Sequence, residues 1–175
     1  MKPTLLLAAL IALSLSACGS GGSTPAPLTD KQKIAALETS GDLPTLDRTD
    51  TIGGIDANAN GVRDDIEAII TKKYTQLDQR AAAMQKAKAL QAILLVDPND
   101  KSAVKAASLR SSKSGSCLFK KFNPLSDPLN PLAAIVSREI ESLTTNTKKR
   151  LKAYLAYGQA LDGSVLTDPQ GDTCE

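Results

Sequence analysis

Residues 66–95 read IEAIITKKYTQLDQRAAAMQKAKALQAILL. Within and around this stretch Ile66, Ile69, Ile70, Leu77, Ala81, Met84, Ala87, Leu90 and Leu94 recur at threes, fours and sevens. An α-helix turns once every 3.6 residues, so this spacing collects apolar side chains into one stripe that can be buried. Ala81, Ala82 and Ala83, with the many Lys and Gln residues, add helix propensity. Asp97-Pro98 then stops the run, because proline lacks an N–H and restricts the residue before it. The stretch reads as one long helix with a single buried stripe.

Helical signals extend outward from it. Thr29 or Asp30 can cap a short helix carrying Ile34, Ala35, Leu37 and Glu38, with Gly41 closing it. Residues 42–55, DLPTLDRTDTIGGI, hold Pro44, Gly53 and Gly54 and read as loop. A weaker helix is expected from about Asp100 to Arg110, broken by the Ser-rich SSKSGS at residues 111–116. Residues 123–132, NPLSDPLNPL, repeat Asn/Asp-Pro-Leu three times, a helix-start device whose last copy opens at Asn130-Pro131. The helix after it should share a face of Leu132, Ile135, Val136, Ile140 and Leu143, until Thr144–Thr147 interrupt it. A last helix would use Leu151, Tyr154, Leu155, Gly158 and Leu161 and end at Gly163. No strand-like alternation and no fold-building repeat is present. The expected fold is all-α, a small irregular bundle of about five helices forming a single domain over residues 28–175.

The front of the chain has a different character. Lys2 is followed by LLLAALIALSL, an apolar run at residues 5–15 that is too short for a membrane-spanning helix of ~20 residues. It suits a signal-peptide core over residues 1–17. Its end, Leu15-Ser16-Ala17-Cys18, resembles a bacterial lipobox, and the resemblance implies cleavage before Cys18, a diacylglyceryl thioether on its sulfur and an acyl chain on its amine. The alternative is an ordinary secretory signal cut near Ala17. Gly19 stands where Asp would favour inner-membrane retention, so a host with two membranes would carry the protein at its outer one, on the periplasmic or surface face. Residues 19–27, GSGGSTPAP, then read as a flexible tether from the lipidated cysteine.

Composition narrows the chemistry. Lys2 is the only charged residue among the first 17, so the remaining 158 carry 20 basic and 19 acidic side chains. That balance gives no overall attraction to nucleic acid or to anionic lipid. The chain has no histidine, which removes Ser-His-Asp and Cys-His catalysis, His-containing zinc sites and histidine general bases. Ser111-Ser112-Lys113-Ser114 leaves a Ser-Lys pair in principle, but no nucleophile motif surrounds it and it reads as a polar loop. With Cys18 lipidated, Cys117 and Cys174 remain, and in an oxidising compartment an even remainder reads as one disulfide. It would tie the polar tail LTDPQGDTCE back to the middle of the chain.

One stretch carries coordination chemistry. Calcium takes 6 to 8 oxygens, and a twelve-residue loop supplies them from positions 1, 3, 5, 7, 9 and 12. In DANANGVRDDIE, residues 56–67, these are Asp56, Asn58, Asn60, the Val62 carbonyl, Asp64 and Glu67, with Gly61 at the sharp turn. The competing reading is a polar turn running into a helix capped by Asp64 with Glu67 at its third position. Capping does not account for oxygen-bearing side chains at 56, 58 and 60. The stretch resembles an EF-hand loop with two departures: Arg63 replaces the usual aliphatic at position 8, and Gly53-Gly54 rule out a regular entering helix. It is closer to the loop-then-helix calcium motifs of dockerin-like and thrombospondin-type-3 proteins. Residues 45–70, TLDRTDTIGGIDANANGVRDDIEAII, also resemble a segment of uncharacterised exported proteins from bacteria with two membranes.

These readings converge on a lipid-anchored envelope protein with a structural Ca2+ ion, binding an envelope protein or polysaccharide and no nucleic acid. The rivals are an envelope enzyme using carboxylates, such as Asp47 or Asp50, or a calcium-bound substrate, and a calcium sensor.

Overall fold

The computed structural model describes residues 26–122, 132–165 and 168–175. Six α-helices follow one another: α1 Asp30–Ser40, α2 Asp64–Lys73, α3 Leu77–Leu95, α4 Lys101–Phe122, α5 Leu132–Thr144 and α6 Lys148–Ala160. No strand occurs among the described residues. The signal run, Cys18 and most of the tether lie outside them, as do residues 123–131 with their Pro-Leu copies.

The stretch expected to form one helix forms two. Tyr74 is extended, at φ −106° and ψ 100°, and Gln76 is extended before α3 begins. The apolar pattern itself marks the break, since between Ile70 and Leu77 only Tyr74 could continue it. Its buried ring leaves the helix to meet Phe122 of α4 edge-on, with centroids 5.2 Å apart. Leu77 and Ala81, assigned to the stripe, are consequently exposed.

Beyond that break α3 is the axis of the bundle, packing against α2, α4, α5 and α6. Ala82, Ala83, Ala87 and Ala89 are buried beside Leu90, Ile93 and Leu94. Their small side chains let neighbouring helices close on several sides of α3, where a single stripe would serve only one.

Helix α4 continues through the segment expected to end it. Asp100 opens it by accepting the Ser102 and Ala103 N–H groups at 2.9 and 3.0 Å. Val104, Ala107, Ser114, Cys117, Leu118 and Phe122 line its buried face. Ser114 is fully buried and donates its hydroxyl to the Ser111 carbonyl at 2.8 Å, so a residue that looked like a loop former fits a tight helix contact. The Ser-Lys cluster is therefore helical. Helix α1 fits its caps: Thr29 and Gln32 form a capping box, and Gly41 closes the helix at φ 82°.

The last two helices are turned from their expected faces. In α5, Val136 and Ile140 are buried as expected, but Ala133 and Thr144 join them while Leu132 and Ile135 are exposed. In α6, Tyr154 and the C-cap Leu161 pack partly buried against the core as expected, but Arg150 and Tyr157 are buried and Leu151 and Leu155 face outward. Cys117 and Cys174 form the disulfide, with Cα atoms 5.0 Å apart. The tail also gains specific partners: Gln85 of α3 donates to the Thr173 carbonyl at 2.8 Å and accepts the Glu175 N–H at 3.3 Å.

Candidate functional site

The polar loop before α2 is held by its own side chains. Asp56 accepts the N–H groups of Asn60 at 3.1 Å and Gly61 at 2.9 Å, one on each carboxylate oxygen. Asn58 accepts the Asn60 N–H at 3.1 Å, and Asn60 accepts the Val62 N–H at 2.8 Å. Gly61 sits at φ 85°, the left-handed turn expected at the sixth position, with the Lys88 side chain lying over it. Ala59 is also left-handed, at φ 55°.

Side chains from distant loop positions meet at one atom. Glu67 Oε2 accepts the amide of Asn58 at 3.1 Å and that of Asn60 at 2.9 Å. Asp64 reaches back across the loop to accept the Ala57 N–H at 3.1 Å. Asp64 is therefore the first residue of α2 and not its cap; Arg63 holds the cap position, with no side-chain cap bond. The carboxylate thought able to serve a capping box closes the loop instead. Among the described residues no three Asp, Glu, Cys or His side chains form a group set to hold a metal ion. Any cation here would have to draw on the asparagines as well.

Arg63 explains its own oddity at position 8. Its side chain is fully buried and grips both Asp65 oxygens, at 2.6 and 2.8 Å. The same guanidinium donates to the Leu143 carbonyl at 3.0 Å, the Thr144 carbonyl at 3.4 Å and Asn146 Oδ1 at 3.2 Å. A second fully buried guanidinium lies beside it. Arg150 of α6 donates to the Asp47 carbonyl, to Asn146 Oδ1 at 2.8 Å and to the Ile52 carbonyl at 3.3 Å, and pairs with the Asp47 carboxylate at 3.4 Å. Asn146 thus joins both arginines, and its own amide donates to the Asp47 carbonyl at 2.9 Å.

Two cations and two carboxylates share this buried cluster, so its charge balances. Burial works against ionised Asp47, but N–H groups of Thr49 and Ile55, the Thr49 hydroxyl and Arg150 outweigh it and hold the carboxyl down at about 2. Asp65 is likewise opposed by burial and pulled below the usual carboxylate range by Arg63 and the Asp47 N–H. Burial, then the neighbouring Arg63, lowers the Arg150 value. Gly54 at φ 70° makes the arrangement possible: a Cβ there would lie 2.2 Å from Arg63 Cδ and 2.6 Å from Asp47 Oδ2.

The 45–70 segment is thus a unit pinned to the α5–α6 corner. Its glycines and acids were visible in the sequence; their arginine partner at 150 was not, because nothing in KKRLK distinguishes a buried arginine from its exposed neighbours. Asp47 is held within the cluster, and Asp50 is exposed and pairs with Lys149 at 3.7 Å.

No family model, curated protein or solved structure matches the chain.

Proposed function

We propose that this protein is a lipid-anchored, calcium-stabilised module of the cell envelope, working by binding an envelope protein or polysaccharide. The observation that carries the calcium reading is the meeting of Asn58, Asn60 and Glu67 at one carboxylate oxygen, with Asp56 and Asp64 closing the same loop. Two amide N–H groups bring partial positive charge to Glu67 Oε2. Turning each amide over would present its oxygen instead, and a divalent cation would then satisfy the oxygens that now take up hydrogens.

Asp56, Asn58, Asn60, the Val62 carbonyl, Asp64 and Glu67 would hold Ca2+, a hard cation that favours oxygen donors. Bound there, the ion supplies charge neutralisation and a cross-link between the loop and the first turn of α2. The structural role, as against sensing, is supported by Arg63. A sensor loop must move a helix pair, whereas this loop is tied into the body through a buried guanidinium with several partners.

Calorimetric titration of the chain from Gly19 onward, which retains all six helices and both disulfide cysteines, tests the calcium reading. Heat of binding is expected at micromolar to millimolar Ca2+, and silence at millimolar ion removes the site. Mass spectrometry of protein from the envelope is expected to find Cys18 acylated; an unmodified Cys18 removes the anchor.

A further inference from the structure

Helix α6 buries Arg150 and Tyr157 and turns a quite different set of residues outward. Lys148, Leu151, Lys152 and Leu155 are spaced at three and four and all are exposed, the leucines at 45% and 55%. At about 100° per residue these four fall within an arc of roughly 100°, on the side opposite Arg150 and Tyr157. Lysine and leucine therefore alternate along one solvent-facing ridge. Lys148 and Lys152 have no ion-pair or hydrogen-bond partner among the described residues.

The start of this ridge opens into a cleft. Arg48, Thr49 and Asp50 face Thr147, Lys148, Lys149 and Lys152 across about 380 Å³. The cations here are Arg48, Lys148, Lys149 and Lys152, against Asp50 beside Lys149 and Glu38 beside Arg48. A chain whose total charge nearly cancels has thus gathered an uncompensated basic surface at one corner. Helix α1, through which the chain runs back toward Cys18, is fastened beside this cleft by the Glu38–Arg48 pair at 2.6 Å.

We propose that this face of α6, with the adjoining cleft, docks on an anionic phospholipid surface. The lysines and Arg48 meet phosphate groups, and Leu151 and Leu155 enter the headgroup boundary between them. Long cationic side chains interleaved with exposed leucines fit an interface that is charged outside and apolar just beneath. Two leucines bury too little to anchor a protein alone. Together with the four cations they hold the surface reversibly, and this contact sets which way the domain faces, presenting the opposite side of the bundle to a partner. The proposal takes from the preceding reading only that a membrane is nearby; it needs neither calcium nor lipidation.

The test isolates it from both. The chain from Gly19 onward, in chelator, is sedimented with vesicles of phosphatidylcholine alone or with added phosphatidylglycerol. Binding is expected only to the anionic vesicles, falling steeply with salt. The K148Q/K149Q/K152Q variant should lose about 10-fold or more in partitioning, and L151S/L155S should weaken binding while keeping its salt dependence. All five positions are exposed, so unchanged thermal unfolding is expected and checks that the variants fold. No binding to anionic vesicles, or binding that the lysine variant leaves intact, overturns the proposal. Equal affinity for a soluble polyphosphate, unaffected by the leucine changes, also overturns it, since the surface would then read charge alone.

Discussion

Gly54 and Gly115 show how much a residue's meaning depends on what surrounds it. Gly54 is left-handed and packed against Arg63, Asp47 and Arg150, whereas Gly115 lies within α4, where an added Cβ would meet nothing within 4 Å. Gly54→Ala adds a left-handed penalty of about 1–2 kcal/mol and forces apart a buried charge cluster whose disruption costs about 3–5 kcal/mol. A loss of at least about 3 kcal/mol is expected by urea unfolding. Gly115→Ala should gain about 0.5–1 kcal/mol in the same measurement, because alanine restricts the unfolded chain and suits a helix. Asp47 adds a pH signature to the same cluster. Its carboxyl falls from 3.8 to about 2 on folding, so the folded state binds fewer protons than the unfolded state across that window. The stabilisation is complete above about pH 4 and disappears as pH falls through 2, on the order of 2 kcal/mol in all. Unfolding midpoints should drop over this range, and the Asp47→Asn protein should be less stable at pH 7 with a flatter acid limb.

Among the elements, legibility followed the kind of signal each carried. The caps of α1 are local, and Thr29, Gln32 and Gly41 sufficed to place both of its ends. The α2–α3 break depended on Tyr74 reaching Phe122, a contact 48 positions away in the chain that periodicity cannot report. Ser114 and its neighbours have weak helix propensity, yet α4 continues because small residues suit its packing on α3. The faces of α5 and α6 differ from the expected ones for one reason: their leucines were placed on the core face, and Arg150 and Thr144, which are buried, were not. Paired inside a cluster, an arginine can displace leucine from the interior. In the polar loop the local signal was legible, since Gly61 takes the left-handed turn expected at the sixth position. The disulfide was legible from cysteine arithmetic, and it gives this scale its prediction. It spans 57 residues, so loop-closure entropy assigns it about 4 kcal/mol. Cys117→Ala/Cys174→Ala should lower unfolding stability by that order. Amide exchange at Thr173–Glu175 should also quicken, since only non-covalent contacts from Gln85 and Lys120 are seen to hold the described tail besides the disulfide.

In the molecule as a whole, the loop and the body meet chiefly through buried charge, and this decides what an ion could accomplish. Asp65 lies in the first turn of α2, Arg63 bridges it to the α5–α6 corner, and Arg150 draws in the 47–52 segment from the other side. Segment 42–67 is therefore already seated before any cation enters, and Glu67 stands one turn along α2 from that seat. An ion at Glu67 would tighten the loop against α2 without moving one helix past another. Mass action then limits the effect: at ten times Kd, binding adds about 1.4 kcal/mol. For a domain of this size, each kcal/mol raises the melting temperature by about 2–4 °C. Addition of Ca2+ in excess of chelator should raise Tm by only a few degrees. Protection against amide exchange should increase across residues 56–67 and little elsewhere, with no new binding of a hydrophobic dye. Glu67→Gln should abolish the calcium-dependent rise while leaving the ion-free Tm nearly unchanged, because its amide oxygen can still accept from Asn58 and Asn60. A shift of tens of degrees, or dye binding on adding calcium, would contradict the seated-loop account and point to an ion that builds or opens the fold.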